Sequence, residues 1–114
     1  MSVNETREEL RQERRLVTAI PGPRSQELMK RRNATVAAGV GTVLPVFVEA
    51  AGGGVIVDAD GNSLIDLSSG IAVTNVGNAA PNVVRRVKTQ VEAFTHTCFM
   101  VAPYEGYVEV CELL

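Results

Sequence analysis

Four sets of residues have the types and spacing to do chemistry: Asp58, Asp60 and Asn62 at alternate positions, His96 two residues before Cys98, the glycine runs Gly39-Val40-Gly41 and Gly52-Gly53-Gly54, and the two lysines, Lys30 and Lys88. Alternating oxygen ligands open a calcium loop, but such a loop also needs glycine at its sixth place and a bidentate glutamate at its twelfth. Those places hold Ser63 and Ser69, so a hairpin turn is expected instead. His96 and Cys98 offer two ligands where structural zinc takes four. A Cys–His nucleophilic pair would need the side chains to meet, and a packed or pocket-lining role is the expectation, with no metal. Gly39-Val40-Gly41 is followed by Leu44 where a dinucleotide fingerprint has its third glycine, and no strand precedes it. Gly52-Gly53-Gly54 lacks the Lys-Ser/Thr of a phosphate loop. Lys30 and Lys88 both fall on polar helix faces and read as solvated.

One further stretch, Ser68-Ser69-Gly70-Ile71-Ala72-Val73, joins a strand pattern to a helix pattern. A glycine beside an isoleucine there lets backbone approach a ligand closely.

The elements that must position these residues follow from periodicity and punctuation. Ser2 before Glu5 and Thr6 before Glu9 match capping boxes, and acidic residues precede basic ones, so a helix is expected over 2–17. With few apolar residues it is expected to be a loose arm, so residues 1–24 are read as an N-terminal arm and 25–114 as the main segment. Pro21, Gly22 and Pro23 break the chain. Ser25 is expected to cap a second helix that runs to about Gly39. PVFVEA, GVIVDAD and SLIDLSS predict a three-stranded antiparallel meander over roughly 46–67, with Gly52–Gly54 and Asp58–Asn62 as its turns. Pro81 opens a helix with Val83, Val84, Val87, Val91 and Phe94 on one stripe. A last helix starts near Tyr104 and reaches Leu114 in mid-pattern, which leads to the expectation of a larger protein. The fold class is α+β: N-terminal helices, the small meander, then two helices.

Composition bounds the rest. In 114 residues the apolar fraction is 46% and the charged fraction 21%, within the ordinary globular range. A net charge of −2 and few aromatics argue against a nucleic-acid partner. The charged N-terminus is no secretory signal, and no window approaches the roughly 18 apolar residues of a membrane span. A cytoplasmic protein with reduced Cys98 and Cys111 is the expectation.

The order of the pieces adds a resemblance. GGGVIVDADGNSLIDLSSGIAVTNVGNAAPNVVRRVKTQVEAFTHTCF resembles the N-terminal region of the class III aminotransferases, which carry D-x-D-G, a hydrophobic residue then Asp, G-I-A-V, G-H and P-x-V in that order. The matching residues are Asp58, Asp60, Gly61, Asp66, Gly70, Ile71, Ala72, Val73, Gly77, Pro81, Val83 and Val84. HTCF, YEGYVEVCELL, ELMKRR and GVGTVLPVF look most like the 4-aminobutyrate aminotransferases of that class, while the ornithine, acetylornithine and β-alanine enzymes share much of the pattern. Asn78 stands where the family usually has His; it can still hydrogen-bond and cap the helix at Pro81.

The resemblance implies the N-terminal part of a fold-type I aminotransferase that uses pyridoxal phosphate to pass the amino group of 4-aminobutyrate to 2-oxoglutarate, giving succinate semialdehyde and glutamate. It implies a homodimer as the full-length form. By position, Gly70, Ile71, Phe99 and Met100 are the substrate-binding candidates, an apolar wall suited to the methylenes of an ω-amino acid. No catalytic or cofactor-binding residue is assigned, because the family places its cofactor lysine and carboxylate-binding arginine downstream. The chain by itself is therefore expected to be inactive. The competing expectation is a shortened, non-catalytic interaction module.

Overall fold

The computed structural model describes residues 10–114, in two compact units that divide between Ala80 and Pro81; each is treated by itself. The first is built on the β-branched run Val55-Ile56-Val57. Strands β1 (Val48–Gly52), β2 (Val55–Asp58) and β3 (Ser63–Ile65) pair antiparallel in the order β1-β2-β3. Ala51 lies opposite Ile56, and Ile56 opposite Leu64, with a bulge between Val48 and Ala50. In the central strand Val55 is 1% exposed, the one fully buried apolar side chain among the described residues. The other three wholly buried side chains, Ser25, Asp58 and Asn62, are polar. Hydrogen bonding rather than apolar volume therefore organises this unit.

The expected meander is present, with shorter limits. The third strand, read as SLIDLSS, ends at Ile65. The Asp66 N–H still donates to the Gly54 carbonyl at 2.9 Å, but the Asp66 carboxylate then turns onto the backbone of Ser68 and Ser69 and bends the chain out of the sheet.

The expected helix over 2–17 is corrected where it can be compared. Residues 1–9 lie outside the described residues, and residues 10–17 are not helical. Arg15 exchanges both backbone hydrogen bonds with Ser63, at 3.0 and 2.8 Å, adding a one-residue bridge along the outer edge of β3. The Val17 and Thr18 N–H groups both donate to Asn62 Oδ1, at 2.8 and 2.9 Å. Gln12 reaches the β1–β2 turn, donating to the Gly52 carbonyl and accepting from the Gly54 N–H. Donors that a helix would have used internally are taken by the sheet. Local capping signals lose to these long-range partners.

Helix α1 spans Pro23–Thr35, so both expected limits move. Pro23 is pre-set for the first turn, and Gly22, not Ser25, is the N-cap position; its side chain can offer no cap. The cap comes from the hairpin turn. Asp60 Oδ1 accepts the Arg24 N–H at 2.7 Å and Oδ2 the Ser25 N–H at 2.9 Å. A carboxylate there satisfies two orphan donors and complements the positive end of the helix dipole. At the other end Val36 is already extended (φ −89°, ψ 135°), short of the expected Gly39. Thr35 and Val36 are β-branched and resist further winding.

The second unit holds α3 (Pro81–Ala93) and α4 (Glu105–Leu113), close to their expected limits. The α3 stripe is present, but Val83, Val87 and Val91 are 51–56% exposed. In the connecting loop, Phe99 packs edge-on against Tyr104 (ring centroids 5.4 Å) and Tyr107 (4.6 Å), and Phe94 meets Tyr104 at 5.6 Å. Spacing alone gave no sign of this aromatic cluster, since Phe99 lies within an irregular loop and its partners on either side of it. Cys98 and Cys111 are free thiols, both exposed.

Candidate functional site

The DADGN turn spends its oxygens on the protein. Asp58 Oδ1 accepts the N–H groups of Asp60 (2.9 Å) and Asn62 (2.8 Å), and Oδ2 accepts from the Asn62 amide (2.9 Å). That amide also donates to Thr18 Oγ1 at 2.9 Å. Asn62 thus makes four side-chain bonds, which fix the orientation of its amide: its oxygen faces only donors, and its nitrogen faces a carboxylate and a hydroxyl. The motif is a clasp that ties the arm, the hairpin and α1 together.

The stretch from Ser68 to Val73 is the unusual one. Ser69, Gly70, Ile71 and Ala72 all have positive φ, at 47°, 63°, 62° and 61°, so α2 (Ser69–Ala72) is a single left-handed turn. It is closed by Ala72 N–H to Ser68 O (3.0 Å) and Val73 N–H to Ser69 O (2.8 Å). Left-handed backbone costs a residue with a Cβ about 1–2 kcal/mol, and three of the four carry one. Glycine adopts this region freely, but a β-branched residue such as Ile71 is a marked outlier there. Such strain persists only where the surroundings impose it, and it gathers at functional sites.

The first residue of the turn is held from outside it. Asp66 Oδ1 accepts the Ser69 N–H (2.9 Å), the Ser68 N–H (3.2 Å) and the Ser68 hydroxyl (3.0 Å), while Oδ2 accepts from the Asn78 amide at 3.4 Å. Asn78 is itself bound to the sheet, exchanging two backbone bonds of 2.8 Å with Gly53. At this junction Gly53 and Gly77 both have positive φ, and a Cβ on Gly77 would sit 3.1 Å from the Gly53 Cα. Asn78 therefore binds the Asp66 side chain and the sheet.

Of the four substrate-binding candidates, Gly70 and Ile71 adjoin one another in the left-handed turn, with Ile71 91% exposed. Phe99 and Met100 lie in the second unit. The Phe99 ring is half-buried in its aromatic cluster, and Met100 is 89% exposed. Sequence reasoning missed Asp66 as the residue gripping the turn, although an Asp two and three places before Ser68 and Ser69 is a signal for such side-chain-to-backbone bonds.

Lys30 on α1 and Lys88 on α3 are both exposed. Among the described residues neither lysine is held out of water to take pyridoxal phosphate, so these residues do not by themselves fit that cofactor. Among the described residues no group of three or more His, Cys, Asp or Glu could hold a metal ion, and no helix is long and apolar enough to cross a membrane.

Residues 35–114 match the family described as aminotransferase class-III. The chain belongs to that family. Class-III aminotransferases are pyridoxal-phosphate-dependent, and the helices and three-stranded sheet are those of their N-terminal region. The chain is 67% identical over 105 residues to a 4-aminobutyrate aminotransferase of Mycobacterium tuberculosis, covering 92% of this chain and 23% of that protein. It is 47% identical over 88 residues to a 5-aminovalerate aminotransferase of Pseudomonas putida, covering 77% of this chain and 21% of that protein. It is 40% identical over 90 residues to a 4-aminobutyrate aminotransferase of Escherichia coli, covering 79% of this chain and 21% of that protein. The chain therefore spans between a fifth and a quarter of the length of these curated relatives.

Two carboxylates give this class-III segment an acid sensitivity. Partial burial pushes the Asp60 carboxyl up, but bonds from Ser25 and Arg24, with the Arg24 charge, outweigh it and hold it below its ordinary 3.8. The Ser25 hydroxyl lies buried beside it, short of full hydrogen-bond geometry. Asp66 is held below 3.8 chiefly by the Ser69 N–H and the Ser68 hydroxyl. With both folded values depressed, the native state binds fewer protons than the unfolded chain as pH falls. Their contribution to stability is present above about pH 4 and disappears as pH drops through the lowered values. Urea midpoints should fall on acidification over that range, and Asp66→Asn should flatten the dependence; an unchanged slope in the variant would remove Asp66 from this account.

Proposed function

We propose that this segment serves in a full-length transaminase that moves the amino group of 4-aminobutyrate to 2-oxoglutarate, yielding succinate semialdehyde and glutamate. The observation that carries the reading is the 67% identity to a 4-aminobutyrate aminotransferase along 92% of the chain. Pyridoxal phosphate supplies the electron-withdrawing ring chemistry when bound, and its lysine and the carboxylate-binding arginine come from outside these residues. Gly70 and Ile71, and separately Phe99 and Met100, are the substrate-binding contributions of this segment. Ile71 brings an apolar surface that excludes water from the substrate methylenes, and the left-handed turn holds it clear of its own unit. The resemblance supports a cytoplasmic homodimer as the working form.

A second reading, transfer from 5-aminovalerate, has its own support in the 47% identity to the Pseudomonas putida enzyme. The two amines differ by one methylene, which an apolar pocket distinguishes by roughly 10–200-fold. In the full-length enzyme kcat/KM for 4-aminobutyrate should exceed that for 5-aminovalerate by about tenfold or more. Ile71→Ala should raise KM for the amine about tenfold with kcat within about twofold, the pattern of lost uniform binding. A preference for 5-aminovalerate would decide for the second reading, and a KM indifferent to Ile71 would remove that residue from the substrate site.

A further inference from the structure

The turn at Ser69–Ala72 poses a physical question that its own residues do not answer. Its closing hydrogen bonds would be available in an ordinary right-handed turn as well, where Ser69, Ile71 and Ala72 would escape the steric penalty that a Cβ meets at positive φ. Ile71 gains nothing in burial for this, being 91% exposed. Its first residue, Ser69, is gripped from outside the turn. One oxygen of Asp66 takes both successive N–H groups and the Ser68 hydroxyl, and its other oxygen takes the Asn78 amide. The backbones of both gripping residues are bonded to the Gly53-Gly54 corner of the sheet, Asp66 through Gly54 O and Asn78 through Gly53. The side chain thus connects a fixed corner to a strained turn.

We propose that Asp66, braced by Asn78, is a positioning residue that holds the Ser69–Ala72 turn in its left-handed form and thereby fixes where Ile71 stands. Its effect on substrate binding rests on the reading of Ile71 given above. The chemistry of the pair makes a specific demand. As observed, both faces of the residue at position 66 accept, and Asn78 donates to one of them. An aspartate at position 78 would set its carboxylate against Asp66 Oδ2, two acceptors with no donor between them, whereas an asparagine at 66 can accept from Ser68 and Ser69 and still donate across the gap. Asn78→Asp should therefore fail alone, yet recover when Asp66→Asn supplies a donor opposite it. A side chain that merely filled space would show no such reciprocity.

The test is heteronuclear NMR on the isotope-labelled chain, reading the intraresidue amide-to-Hα Overhauser effect of Ile71, which is strong at positive φ. The wild type should show it, and Asp66→Ala should lose it while the amide shifts of Val55 and Asn62 stay in place. Asn78→Asp should weaken it, and the Asp66→Asn/Asn78→Asp pair should restore it. A signal that persists in Asp66→Ala overturns the proposal, as does a swapped pair no better than Asn78→Asp. If Asp66→Ala disturbs the hairpin shifts as well, the comparison of Asn78→Asp with the swapped pair decides by itself. Kinetics of Asn78→Asp in the full-length enzyme separate the two readings. A relaxed turn with a raised KM, kcat unchanged, upholds both. A relaxed turn with unchanged KM upholds the positioning role and overturns Ile71 as a substrate contact.

Discussion

Replacing Asn62 by leucine is expected to lower the stability of the chain by about 3 kcal/mol, the upper part of the range for single substitutions. The side chain is fully buried, and its four bonds join three stretches: the arm at Val17 and Thr18, the end of β2 at Asp58, and the turn it belongs to. Leucine matches it in number of heavy atoms but leaves two backbone N–H groups and one oxygen of Asp58 without the partner they have now. Each buried polar group stranded in this way costs roughly 1–3 kcal/mol, tempered where water can reach it. Against the total of about 5–15 kcal/mol typical of a folded domain, that is a large fraction. Asn62→Asp should do little better, because its second oxygen would face the Asp58 carboxylate. Urea unfolding measures the loss, and amide exchange at Val17 and Thr18 locates it: both should become fast in Asn62→Leu. A midpoint within error of wild type would mean that the clasp does not hold the arm.

Gly22→Ala is the second substitution with a large expected effect, and its cause is spatial. Gly22 has φ −74°, a value open to any residue, so no conformational argument applies. A Cβ there would lie 2.3 Å from Asp60 Cγ and 2.6 Å from its Oδ1, far inside contact. Either the α1 N-terminus or the hairpin turn must move, and the carboxylate leaves the two N–H groups it caps. A cost of about 3 kcal/mol is expected, the high end for overpacking. The explanation makes a non-additive prediction. In an Asp60→Gly background the obstructing side chain is gone, and adding Gly22→Ala should cost less than about 1 kcal/mol. Equal costs in the two backgrounds, read from denaturation midpoints, would show that the clash is not the reason.

These two positions show where sequence reasoning had purchase and where it had none. The β-branched run Val55-Ile56-Val57 and the turn chemistry of Gly61 and Asn62 are enough to predict the meander, because strand pairing across a short turn is a local matter. The Val83-Val87-Val91 stripe and Pro81 likewise predict α3, whose period and start signal lie within one element. The family, too, was legible, since twelve spaced residues from Asp58 to Val84 keep one order. The arm was misread for the opposite reason. Helix propensity in residues 10–17 is a weak local bias, and it was overruled by Asn62 and Ser63, some 45 residues away in the chain.

Length, charge, the strand meander, α3 and the class-III resemblance were determined by the sequence itself, because each depends on residue type and spacing alone. Tertiary structure decided that Asp60 caps a helix it does not belong to, that Asp58 and Asn62 serve as a clasp, and that Ser69–Ala72 turns left-handed under the grip of Asp66. The physical reason lies in the bonds these side chains make beyond their own turns: Asp60 to Arg24 and Ser25, Asn62 to Val17 and Thr18, and Asp66 to Asn78. A carboxylate or amide can satisfy any donor that the fold brings within about 3 Å, and which donors arrive there is settled by the path of the chain, which no local pattern encodes.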